Sequence, residues 1–155
     1  MLNIVLFEPE IPPNTGNIIR LCANVGANLH LIEPLGFKLE DKQLRRAGLD
    51  YHEFADMKVY ASFDDFIAKN KGKRIWACTT KATQYYQQID WDAEDRRWVG
   101  PETRGLPNDV LELLAETQIK IPMHKNSRSL NLSNSVAVIL YGALNNIGFD
   151  KAGLL

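Results

Sequence analysis

Short apolar runs alternate with helical stripes along this chain. Leu2 to Phe7 is a largely apolar run rich in branched residues, which predicts a buried strand. The stretch from Glu8 to Gly16 cannot continue it, because Pro9, Pro12 and Pro13 lack backbone donors. Asn14 or Thr15 is the expected cap of the helix that follows. In that helix Ile18, Leu21, Cys22 and Val25 recur at helical spacing as the buried stripe, and Gly26 suits its C-terminal stop. Asn28 to Ile32 reads as a second strand. Asp41 is placed to cap a short helix carrying Leu44 and Ala47 and ended by Gly48. A strand at Lys58 to Ala61 and a helix at Asp64 to Lys69 follow. Arg74 to Thr79 is the next strand, and Trp98 and Val99 end another. Asn108 to Ala115 is expected to be helical, and Gln118 to Pro122 extended. A long last helix begins at Asn131 or Leu132, carries Val136, Leu140, Ala143 or Leu144, and Ile147, and stops at Gly148.

Six strands separated by single helices predict a mainly parallel α/β sheet with helices on both faces. Ligands of such sheets bind beyond the carboxyl ends of the strands, so the residues just after each strand carry the functional information. Composition adds limits. A chain of 155 residues with 45% hydrophobic and 24% charged residues is neither disordered nor low in complexity, and its length suits one domain spanning 1–155. The formal net charge of −1 offers no global attraction to nucleic acid. The start of the chain lacks a basic region and a cleavage site, and no apolar run is long enough to span a bilayer, so a cytoplasmic location is expected. Cys22 and Cys78 form no redox or metal motif, and His30, His52 and His124 lack ligand spacing, so packing or surface roles and no metal are expected.

Three segments stand out. Pro12-Pro-Asn-Thr-Gly-Asn-Ile-Ile-Arg20 leads a rigid proline stretch into a helix, with Arg20 off the apolar stripe. Plain capping with a solvated arginine would also explain it. In Val99-Gly-Pro-Glu-Thr-Arg-Gly-Leu-Pro107 a strand ends and Gly100 and Gly105 bracket Glu102 and Arg104. An acid and a base in a stiff Gly/Pro loop at a strand end suit ligand work, although connecting loops share this composition. Ile121 to Ser135 holds Asn126, Ser127, Ser129, Asn131, Ser133, Asn134 and Ser135 before an apolar helix. A cap needs one or two such residues. The surplus supplies small donors and acceptors for a polar ligand.

Taken in order, Asn14 to Arg20, Gly100-Pro-Glu-Thr-Arg-Gly-Leu106, and Ile121-Pro-Met with Ser129-Leu-Asn-Leu-Ser-Asn134 resemble the three motifs of the SPOUT class of S-adenosylmethionine-dependent RNA methyltransferases. The stretch Asn-Ile-Val-Leu-Phe-Glu-Pro-Glu-Ile-Pro-Pro-Asn-Thr-Gly-Asn is most similar to the compact TrmL-like branch, and the likeness runs from Met1 to Ile147. The resemblance implies a six-stranded parallel α/β domain with a deep C-terminal trefoil knot, a homodimer with the site at its interface, and methylation of the ribose 2′-hydroxyl of the wobble cytidine or uridine of leucine tRNAs. By position it implies S-adenosylmethionine contacts around Cys78, Thr79, Gly100, Ile121, Ser129 and Leu130, with Cys78 a wall residue and not a nucleophile. It places Arg20 beside the ribose. Arginine stays protonated in proteins, so a base role is awkward. We expect Arg20 to clamp the adjacent phosphate and orient the hydroxyl, held in register by Asn14, Glu102, Ser129 and Asn131.

Contact with the tRNA anticodon region needs local positive charge, for which Arg45, Arg46, Lys125 and Arg128 are the candidates. The apolar run Val136-Ala-Val-Ile-Leu-Tyr141 would leave an apolar face on a lone helix, so a dimer contact including Tyr141 is expected, with burial inside one subunit as the other account. A non-enzymatic RNA-binding α/β module would explain the basic residues, but not the acidic Gly-bracketed loop or the Ser/Asn cluster.

Overall fold

The first strand, β1 (Asn3–Phe7), is buried along its whole length. Its side chains alternate, as strand geometry requires. Ile4 and Leu6 join a core with Ile18, Cys22, Val136, Leu140 and Leu144 on one face. Val5 and Phe7 join another with Tyr60, Phe66, Ala77 and Val110 on the opposite face. A strand covered on both faces reads as a continuous apolar run, which is how it stands in the sequence. These features belong to a computed structural model that describes residues 2–39, 42, 57–100 and 104–155. The helix expected between Asp41 and Gly48 lies outside the described residues.

The remaining elements are α1 (Pro12–Val25), β2 (Asn28–Ile32), β3 (Met57–Tyr60), α2 (Phe63–Lys69), β4 (Ile75–Cys78), β5 (Gln84–Tyr85), a short 3-10 turn (Tyr86–Gln88), β6 (Arg96–Val99), α3 (Asn108–Leu113), β7 (Gln118–Lys120) and α4 (Leu132–Ile147). The sheet order is β3-β2-β1-β6-β4-β7-β5, and every described pairing is parallel. The six strands expected from sequence are therefore seven among the described residues. The additional one, β5, is two residues long and held only by β7, too short to show any alternation of its own.

Helix α1 corrects the expected cap. It starts at Pro12, with Ile11 in the cap position and no side-chain cap bond. Proline at the first helical positions has the right φ and no amide to satisfy, so Asn14 and Thr15 lie inside the first turn. Ile19 is buried in the stripe, whereas Leu21 is only half buried. Gly26 ends the helix at φ 68°, a left-handed conformation suited to glycine.

Buried polar groups on the sheet are locked, beginning at the entry to β4 and β6. Arg74 donates from Nε to Asp95 Oδ1 at 2.8 Å and from Nη2 to Asp95 Oδ2 at 2.6 Å. The Asp95 side chain is only 2% exposed and also accepts from the Asp92 amide. This bidentate pair ties the entry of β4 to that of β6. On the other side of β1, His30 lies between Asn3 Oδ1, at 2.9 Å from Nε2, and the Tyr60 hydroxyl, at 2.8 Å from Nδ1. His30 is thus a satisfied core residue, as its isolation in the sequence suggested.

Candidate active site

Strands β6, β4 and β7 are neighbours in the sheet, so their carboxyl ends stand side by side. Cys78 ends β4, Gly100 follows β6 and Ile121 follows β7. A cavity of about 680 Å³ opens there. Cys78, Thr79, Gly100, Ile121, Ser129 and Leu130 all line it, so the structure brings the six candidate cofactor residues onto one wall. The charged side chains lining it are Arg104, Lys120 and Lys125, and no carboxylate does so among the described residues.

Gly100 is required by close approach. A Cβ there would lie 2.9 Å from the Leu106 amide nitrogen and 3.0 Å from the Gly105 carbonyl carbon, both backbone atoms. The Thr79 amide donates to the Ile119 carbonyl at 2.9 Å, and the Thr79 hydroxyl accepts from the Lys81 amide at 3.2 Å. That local turn fixes the chain just past β4. Burial pushes the Cys78 thiol up to about 11. It is therefore neutral near pH 7, fit for a wall and not for nucleophilic attack.

The second half of the site adjoins the first turn of α4. Asn131 caps that helix. Its Oδ1 accepts from the Ser133 amide at 2.9 Å, the Asn134 amide at 3.3 Å and the Ser133 hydroxyl at 2.6 Å. Its Nδ2 donates to Asn14 Oδ1 at 3.0 Å, across 117 positions of sequence. Leu132 and Ser135 of the same turn line the cavity. The cap therefore joins the cavity to α1. Part of the Ser/Asn surplus is spent on this cap: Ser133 as above, and Ser135, whose hydroxyl donates to the Asn131 carbonyl at 3.1 Å. Ser127 donates to the His124 carbonyl at 2.7 Å, while Ser129 is exposed on the cavity wall.

Other candidates separate. Arg20 is exposed on α1 and does not line the cavity. Lys125 lines it; Arg128 is exposed on the same loop but does not. Tyr141 is 44% exposed on α4, with its ring 6.3 Å from that of Phe149. Glu102, Arg45, Arg46 and His52 lie outside the described residues. Sequence reasoning missed Tyr85 and Lys120, which face the cavity with the ammonium 5.0 Å from the ring centroid. Lys120 ends β7 and could have been found by the strand-end rule; Tyr85 sits on the strand that left no pattern.

Residues 1–141 match the SpoU rRNA Methylase family. The chain belongs to that family. This SpoU methylase is 55% identical to a Yersinia pestis protein named tRNA (cytidine(34)-2'-O)-methyltransferase, over 98% of each chain. It is similar to a solved structure described as giving insights into the 2-OH methylation of C/U34 on tRNA, with TM-score 0.89 and 40% identity over 95% of this chain and 96% of that one. An AdoMet-bound rRNA methyltransferase from Sinorhizobium meliloti superposes with TM-score 0.80 at 25% identity, over 95% of this chain and 57% of that one. In this SpoU methylase no group of three or more potential metal ligands occurs among the described residues, and no described helix is long and apolar enough to cross a membrane.

Proposed function

We propose that the protein transfers a methyl group from S-adenosylmethionine to the ribose 2′-hydroxyl of the wobble cytidine or uridine of tRNA, in leucine isoacceptors, as a cytoplasmic homodimer of one-domain subunits. The observation that carries this reading is the convergence of the β4, β6 and β7 ends on one cavity, joined through Asn131 to Asn14 in the first motif. The likeness to a tRNA (cytidine(34)-2'-O)-methyltransferase over nearly the whole of both chains supports the same substrate.

The wall fits the cofactor. Its volume of about 680 Å³ lies within the range of small-molecule sites. Bare backbone at Gly100 permits close approach, the Cys78 thiol is neutral, and the hydroxyls of Thr79 and Ser129 and the side chains of Ile121 and Leu130 offer small polar and apolar contacts. When bound, S-adenosylmethionine supplies a methyl carbon already activated on a sulfonium. The protein is left with alignment and removal of one proton. Arg20 clamps the phosphate next to the target ribose through its planar fork and turns the 2′-hydroxyl toward the methyl carbon. Asn14, Glu102, Ser129 and Asn131 hold that arrangement. The hydroxyl proton leaves to a phosphate oxygen or water as the ribose oxygen accepts the methyl group, which the bound cofactor would give up while remaining as a neutral thioether. Lys125, Arg128, Arg45 and Arg46 contact flanking phosphates.

The deep knot and the dimer belong to this proposal. The last strand, β7, lies between β4 and β5 and not at an edge, and the chain after it returns to α1 through the Asn131–Asn14 bond, which supports a threaded C-terminal part. The half-exposed apolar side of α4 around Tyr141 supports pairing of two subunits. The deciding experiment incubates the protein with labelled S-adenosylmethionine and total tRNA and maps the methylated nucleotide. Label at the 2′-oxygen of nucleotide 34 is expected. Label elsewhere, or none although calorimetry shows cofactor binding, overturns the substrate assignment.

A further inference from the structure

Among the described residues, two arginine–carboxylate pairs have opposite character. Arg74 grips the buried Asp95 with two bonds of 2.8 and 2.6 Å. Arg104 meets Glu10 with one, from Nε to Oε1 at 3.3 Å, and the side chains are 56% and 29% exposed. Neither terminal nitrogen of Arg104 has a partner among the described residues. Yet Arg104 is not a loose surface side chain. It lines the cavity, and Gly105 after it turns at φ 68°. Glu10 is fixed as well: a Cβ at Gly36 would come within 2.8 Å of the Glu10 Cα, and the Gly36 amide donates to the Pro9 carbonyl at 2.9 Å. A carboxylate on a closely packed backbone thus meets one edge of a guanidinium whose two terminal nitrogens have no described partner, on the wall of a cavity lined among the described residues by three cations and no carboxylate.

We infer that Arg104 is a phosphate-binding residue for the RNA substrate, and that Glu10 is an intramolecular stand-in for that phosphate, displaced when RNA arrives. The inference rests on the proposed RNA methylation and extends it to a residue pair outside its machinery. The chemistry is that of the guanidinium fork, which matches a phosphate with two parallel bonds. A single exposed contact of this kind is weak, so exchange for a phosphate costs little. Glu10 keeps the arginine pointed and unpaired with anions of the wrong shape until the substrate competes.

The test measures binding of an anticodon stem-loop RNA across a series of salt concentrations, with cofactor binding followed by calorimetry on the same proteins. Arg104→Gln is expected to weaken RNA binding roughly tenfold and to lower the salt slope by about 1, the value of one lost phosphate contact. Glu10→Gln is expected to act in the opposite direction, tightening RNA about 1.5- to 5-fold, the range released by breaking an exposed ion pair. Cofactor affinity should be unchanged in Glu10→Gln, whose side chain does not line the cavity. If the pair is only a latch between two loops, both variants weaken RNA and cofactor together, and the inference fails. It also fails if wild type binds RNA and Arg104→Gln leaves the salt slope unmoved. Wild-type protein that binds cofactor but no RNA overturns the substrate reading itself, and the inference with it.

Discussion

Replacing Gly100 with alanine tests the architecture of the site most directly. The added Cβ would stand 2.9 Å from the Leu106 nitrogen, 3.0 Å from the Gly105 carbonyl carbon and 3.1 Å from Leu106 Cγ. Comfortable contact begins at about 3.5 Å, so the chain at 105–106 must retreat by roughly half an ångström. Two of the three atoms are backbone, and Leu106 is packed in the core at 8% exposure, so the retreat is resisted. Overpacking of this kind costs about 1–3 kcal/mol. For a chain of this size that corresponds to a fall in Tm of roughly 2–12 °C. The same movement displaces the cavity wall between Gly100 and Arg104, so S-adenosylmethionine should bind at least about tenfold more weakly, as misplacement of well-packed contacts by fractions of an ångström entails. Gly26→Ala is the control. Gly26 has φ 68° and nothing within 4 Å of a new Cβ, so it incurs only the left-handed penalty of about 1–2 kcal/mol, far from the cavity. Calorimetry with the cofactor and thermal melts of both variants decide the matter. A Gly100→Ala protein that binds cofactor as tightly as wild type refutes the argument that this close approach shapes the pocket.

Asn131→Asp should preserve the α4 cap, because a carboxylate still accepts from Ser133 and Asn134 and suits a helix N-terminus. It cannot donate to Asn14, so methylation should fall at least tenfold with little change in Tm, whereas Asn131→Ala should also lose about 1 kcal/mol of stability in denaturant titrations. Arg20→Lys keeps charge but loses the planar fork, and tRNA turnover equal to wild type would sink the clamp. Asp95→Ala removes both of its bonds to Arg74, which is 44% exposed and keeps its bond to the Asp90 carbonyl, and should cost about 1–2 kcal/mol by urea unfolding while cofactor affinity is retained in the folded protein. Burial raises the Cys22 thiol from 9.0 to about 12 and the Cys78 thiol from 9.0 to about 11. A raised thiol pKa favours the folded state below the unfolded value, and that stability is lost as pH rises above it. Each thiol should therefore subtract up to about 1.4 kcal/mol per pH unit from roughly pH 9 upward, and Cys22→Ala should show a shallower loss over that range.

Most elements were legible because their burial is two-sided and continuous. β2 spans Asn28–Ile32 as read, and α4 begins after Asn131 and stops at Gly148 as read. The misreadings have local causes. Asn14 has a cap-forming side chain in a cap-like context, but Pro12 and Pro13 start the helix without one, and the amide side chain is spent on Asn131 instead. β5 escaped because two residues held by one neighbour leave no period. The strand-end rule located the segments that hold Gly100 and Ile121 without any tertiary information, whereas Cys78 came only from the family resemblance. The Glu10–Arg104 contact was invisible in sequence, since nothing local links residues separated by 94 positions.

The distribution of strong and weak polar contacts over the sheet explains why the cavity lies where it does. At the entry to β4 and β6, Asp95 uses both oxygens on Arg74 and accepts the Asp92 amide as well. A carboxylate satisfied in this way has nothing left to offer a ligand, and its removal is expected to cost stability. At the exit of the same strands, the polar groups facing the cavity among the described residues include hydroxyls, a neutral thiol, the His124 imidazole and three cations but no carboxylate, and Glu10 meets one edge of Arg104. Parallel strands place every exit at one end, so a fold can commit its strong ion pairs to the entry end and leave the exit end under-committed. The near-zero net charge of −1 then loses its force against an RNA substrate. Asp95, locked at the entry end, counts in the sum but does not face the cavity, and Arg104, which does, is held by a contact that a phosphate can outcompete.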